Sequence, residues 1–96
     1  MRITGEYVKI IDNNPVKILT IVVHEFRIGD VEDPIVYAAE PLIQWEKSEE
    51  GQFVMANSIE KPEWRQWLDH ESYSTRICVI AKLKEKDASY FALKFK

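Results

Sequence analysis

Asp69-His70-Glu71, with Ser72 and Ser74 close behind, comes nearest to catalytic equipment in this chain: a nucleophile, a base and an acid to orient it. The corresponding chemistry is acyl transfer. Triad members, however, act along distinct directions fixed by separate elements, and close neighbours in sequence seldom converge in that way. The other histidine, His24, falls in a strand-like run, where a sheet-face or hydrogen-bonded role is expected. Cys78 alternates with core-facing residues and reads as a packed thiol, not a reactive thiolate. No catalytic residue is assigned, and the chain is expected not to be an enzyme.

Metal and cofactor chemistry fares no better. Asp30, Glu32 and Asp33 offer hard oxygen ligands, but Ile35 stands where an EF-hand calcium loop starting at Asp30 needs glycine. Asp33 also has a structural task as a helix cap. Zinc would need Cys and His ligands that the composition does not supply. Gly5, Gly29 and Gly51 are isolated and make no phosphate-cradling loop. No metal and no cofactor is expected.

Recognition chemistry has more material. Residues 30–71 hold eleven carboxylates against three cations, a charge of −8, while the rest of the chain is +5, so the net −3 conceals two opposed blocks. Trp45, Trp64 and Trp67 all lie in the acidic block. Aromatic anchors among carboxylates suit a basic protein partner, the charge speeding encounter and the rings supplying bound-state energy. Trp45, spaced helically with Leu42 and Phe53, is expected in the core. The expected docking residues are Trp64 and Trp67 with Glu60, Glu63, Asp69 and Glu71. The alternative is single-stranded nucleic acid on a basic sheet face carrying Arg76, Lys82, Lys84, Tyr90 and Lys94. The same face, with an apolar centre of Cys78, Ile80 and Ala92, also suits self-association into a homo-oligomer.

The elements that must position these groups follow from periodicity and turn chemistry. Residues 2–11 and 16–28 are rich in β-branched residues and read as strands, with Asp12-Asn13-Asn14-Pro15 as the turn. Pairing Ile11 with Val16 sets Val8 against Leu19 and Lys9 against Ile18. Asp33-Pro34 starts a helix as N-cap and first helical residue, and Pro41 interrupts it after about one turn. A second helix then runs through about Asn57 on the spacing of Leu42, Trp45, Glu49, Phe53 and Ala56. Gly51 allows the alternative of a helix ending at Glu50 and a short strand over 52–56. Residues 61–71 fit either a short helix behind Pro62 or an irregular edge strand. Residues 75–84 and 89–96 read as a closing hairpin around Glu85-Lys86-Asp87, with Ile77 against Phe95, Val79 against Leu93 and Ala81 against Phe91.

The predicted fold is α+β: two antiparallel β-hairpins flanking a central helical segment, in a single sheet with helices on one face. Ninety-six residues make one domain. A pI near 5.4 gives no general attraction to nucleic acid or anionic membrane. The single cysteine offers no internal disulfide, residues 1–11 lack the apolar run of a signal peptide, and the longest apolar run, 21–23, spans no membrane. A cytoplasmic location is expected.

The run Gly29-Asp30-Val31-Glu32-Asp33-Pro34-Ile35-Val36-Tyr37-Ala38-Ala39-Glu40-Pro41, followed by Trp45, Gly51 and Phe53-Val54-Met55, resembles small uncharacterised proteins encoded by tailed bacteriophages. The likeness covers roughly the central third of the chain, with a looser match to the closing hairpin. It implies an accessory protein of the infected bacterial cytoplasm that binds a host or viral protein, and it brings no catalytic residues.

Overall fold

The computed structural model describes residues 2–29, 33–69, 71 and 74–95. In chain order these form β1 (Arg2–Ile11), β2 (Asn14–Ile28), α1 (Pro34–Lys47), α2 (Glu49–Asn57), β3 (Glu63–Asp69), β4 (Ser74–Lys84) and α3 (Glu85–Phe95). The four strands make one antiparallel sheet in the order β1-β2-β4-β3, so the class is α+β, with β1 and β3 at the edges. β2 is fifteen residues long, and at about 3.3 Å per residue it accounts for the 48 Å long axis of the molecule.

Asp12 and Asn13 take φ of 50° and 64°, the left-handed pair that a two-residue hairpin turn requires. Ile11 therefore pairs with Asn14, and Tyr7 with Ile18, two places from the expected register. A slip of two keeps the side chains from Gly5 to Ile11 on their expected faces, while the irregularity between Ile3 and Gly5 turns Arg2 and Ile3 to the opposite ones. Pro15 is tolerated because β4 reaches β2 only from Ile18 onward, leaving that end of β2 with one neighbour.

The bulge at Val23 shapes the sheet. Before it, Leu19 and Ile21 point to the helices; after it, the parity reverses, and His24 and Phe26 pair with Val79 and Ile77 on that same face. Glu25 and Arg27 are thereby turned to the opposite face, beside Cys78 and Arg76.

Three helices cover one face. Trp45 from α1, Val54 from α2, and Ala88 and Phe91 from α3 close over Leu19, Ile21, Val23, Val79, Ala81 and Leu83 as one core. The helical connection differs from the expected one at its break. α1 runs through Pro41, and the interruption falls at Ser48 instead. Pro41 has no N–H for the Tyr37 carbonyl, but Tyr37 is on the outside, where water can serve that carbonyl. Ser48 caps α2 by accepting from the Gly51 N–H at 3.1 Å, and its hydroxyl donates to the Trp45 carbonyl. Asp33 holds the N-cap position of α1 without a side-chain capping bond. Gly51 lies inside α2, where the two helices meet.

The expected closing hairpin is absent: residues 85–95 are helical. Ala88, Phe91 and Phe95 recur at helical spacing, Glu85 and Asp87 sit in the first turn, and Lys94 sits in the last, as the helix dipole favours. With β2 on one side of β4 and β3 on the other, no edge of β4 remains for a strand of residues 89–96 over the stretch they share. Leu93, the supposed partner of Val79, is 89% exposed.

Candidate interaction surfaces on the two faces of the sheet

The acidic, tryptophan-bearing segment divides among three environments. Trp45 is a core residue, 6% exposed, stacked on His24 with centroids 5.4 Å apart and planes 16° from parallel. Its indole N–H donates to Glu50 Oε1 at 3.3 Å, so one carboxylate of the acidic block serves packing. Residues 63–69 are an edge strand and not a helix, and strand alternation sends Trp64 and Trp67 to opposite faces. Trp64 pairs with Val79 on the helix side; Trp67 pairs with Arg76 on the uncovered side.

The six expected docking residues therefore do not form one helical face. Glu60 binds Lys82 Nζ at 3.1 Å, and Glu63 lies 3.6 Å from the Arg65 guanidinium. Glu71 is exposed in the β3–β4 connection. Asp69 ends β3 opposite Ser74; its side chain lies outside the described residues, as do Ser72 and His70, and with His70 the acyl-transfer constellation.

Trp64 instead lines a groove of about 230 Å³ between α1 and β3. Ile35, Ala39 and Ile43 of α1 form one wall, Met55 of α2 and Pro62 contribute to the rest, and Glu46 and Lys61 are its charged members. Trp64 is 39% exposed, and Ile35, Ile43 and Met55 are also solvent-exposed. The signal for these residues was present in α1. A helix against a sheet needs one apolar stripe, whereas α1 carries Ile35, Val36, Tyr37 and Ile43 beyond the buried Ala38 and Trp45.

The uncovered face has a different character. Arg76, Lys82 and Lys84 lie there as expected, joined by Arg2 and Lys9 of β1, Arg27 of β2 and Arg65 of β3. Tyr90 and Lys94 do not; they lie on α3, where Tyr90 stacks on Phe53 and Lys94 binds Glu49 at 2.7 Å. Among the described residues, the aromatic residues of the uncovered face are Tyr7 and Trp67. Lys82 Nζ sits 5.9 Å from the Tyr7 ring centroid, and the Arg76 guanidinium 5.5 Å from that of Trp67. Ile18, Val22 and Cys78 are buried on this face although no helix covers it. Their neighbours in register, including Tyr7, Lys84, Glu25 and Arg65, roof them with apolar stems and rings.

Glu25 lies between two cations of this face, 3.9 Å from Arg2 and 3.5 Å from Arg76. Burial pushes the Cys78 thiol above its ordinary pKa, and the Glu25 charge adds to the effect. The thiol is thus held in its unreactive protonated form. Lys82 and Lys94 titrate above the ordinary lysine value because Glu60 and Glu49, respectively, bond their ammonium groups.

Among the described residues, no cluster of His, Cys, Asp and Glu is arranged to hold a metal ion. No described helix is long and apolar enough to cross a membrane. No protein-family model, curated protein or solved structure matches the chain.

Proposed function

We propose that the chain is a non-enzymatic protein-interaction module that takes a segment of a partner protein into the groove between α1 and β3. The supporting observation is the groove itself: an apolar trough about 230 Å³ in volume, with Trp64 in its wall and the outer edge of the sheet alongside. Exposed apolar side chains gathered in a concavity mark interaction sites. Large aromatics in such pockets carry much of the binding energy. An edge strand next to the groove lets an extended segment add main-chain hydrogen bonds.

Charge selects the partner. The described parts of α1 and α2 carry more carboxylates than cations, Glu40 and Glu46 among them. The matching segment has apolar anchors flanked by lysine or arginine. In the setting that the phage resemblance implies, it belongs to a host or viral protein of the bacterial cytoplasm.

A random-peptide display selection tests this directly, with wild type and Ile43→Glu as parallel baits. Ile43 is half-exposed, so the substitution alters the groove wall without entering the core. Wild type is expected to enrich peptides pairing apolar and basic residues, and Ile43→Glu to lose them. Equal enrichment by both baits, or no enrichment by wild type, refutes the proposal.

A further inference from the structure

We propose a second site: the uncovered face of the sheet binds single-stranded nucleic acid. It is independent of the groove, being on the opposite side of the sheet. Among the described side chains, cations on this face outnumber the carboxylates Glu25, Glu60 and Glu63 that reach it, so its sign opposes that of the whole chain. Tyr7 and Trp67 on this face are 38% and 41% exposed, and each already lies beside a cation. That pairing supplies what a single strand needs, a surface for a base and a charge for the adjoining phosphate.

The layout fits a strand crossing the sheet obliquely. Trp67 and Tyr7 lie on the two edge strands, about 14 Å apart across three inter-strand spacings. Their rows meet β4 at Arg76 and Lys84, about 27 Å apart along it. The resulting diagonal of about 30 Å accommodates several stretched nucleotides. A duplex would keep its base faces stacked away from both rings. A protein partner would find little apolar floor, since Ile18, Val22 and Cys78 are already roofed. The ion pairs of Arg76 with Glu25 and Lys82 with Glu60 are solvent-exposed and weak enough for phosphates to displace.

The test is fluorescence anisotropy with a labelled oligothymidylate of about twelve nucleotides, beside a duplex of equal length and polyglutamate as a charge-only probe. The single strand is expected to bind preferentially. Neutralising about four phosphates predicts a salt slope near −2.8, a loss of roughly 50-fold between about 50 and 200 mM salt. Trp67→Ala and Tyr7→Ala, confirmed folded by circular dichroism, are each expected to weaken binding by about fivefold or more. Trp67→Phe should restore part of the loss, and Ile43→Glu should change nothing, which separates this site from the groove. Absence of oligothymidylate binding overturns the proposal. So does polyglutamate binding equally well, or wild-type affinity in a folded Trp67→Ala.

Discussion

Gly51→Ala reverses the sign that helix propensity assigns to it. In an ordinary exposed helix interior, replacing glycine by alanine stabilises by about 1 kcal/mol, because glycine loses more backbone entropy on folding. Gly51 is in α2, yet it is buried against the last turns of α1. A Cβ there would overlap the Trp45 carbonyl oxygen and come within 2.7 Å of the Trp45 carbonyl carbon and 2.8 Å of Glu46 Cα. These are backbone atoms, so no rotamer change relieves the clash; α1 and α2 must separate. Separation loosens Trp45 and Val54, both core residues, and the Ser48 cap that joins the helices. Overpacking of this kind costs about 3 kcal/mol at the upper end of its usual range, offset by the propensity gain of about 1, leaving about 2 kcal/mol of net destabilisation. For a domain of this size, that lowers the melting temperature by about 8–16 °C. The assay is thermal unfolding followed by far-ultraviolet circular dichroism. A melting temperature equal to or above wild type would show that the helices are not in contact at Gly51, and the packing argument would fail with it.

Two further outcomes check other parts of the structure. Phe91→Ala should destabilise by about 3–5 kcal/mol, because it empties a fully buried site in α3, whereas Leu93→Ala should stay within about 0.5 kcal/mol. Comparable losses at both positions in urea unfolding would return residues 89–96 to a strand. The pKa of Lys94 is raised in the folded state by Glu49, and secondly by Tyr90, so its stabilising contribution is complete below the unfolded lysine value and is lost as pH rises through the folded one. Nuclear magnetic resonance titration of the lysine side chains should therefore find Lys94 among the last to deprotonate, and Glu49→Gln should lower its value; an unchanged value in that variant would break the assignment.

Local chemistry alone fixed much of the frame. Asp12-Asn13 tolerates positive φ and stops the first strand, and Asp33-Pro34 starts a helix even without a capping bond. The Leu42, Trp45 and Phe53 spacing marks apolar positions that reach or border the core. The charge segregation was also legible, since it needs only composition by segment. What misled was the last segment, where apolar residues at 90–93 and 95 satisfy both a period of two and a helical period. The occupation of both sides of β4 decides between them, and that is a property of the whole sheet.

The site followed the same division. Sequence singled out Trp64, Trp67 and the cations Arg76, Lys82 and Lys84 as candidate contact residues. It could not show that 63–69 is a strand, which sends the two tryptophans to opposite faces, nor that the bulge at Val23 turns Glu25 and Arg27 to the basic side. Tyr7, remote in sequence from the β3 and β4 residues of that surface, joins them only through the pairing of β1 with β2. Residue type sets which interactions a side chain can make, and local spacing proposes its element. Which face it occupies depends on strand parity, bulges and edges, and these are settled only when distant segments compete for the same hydrogen bonds and the same core.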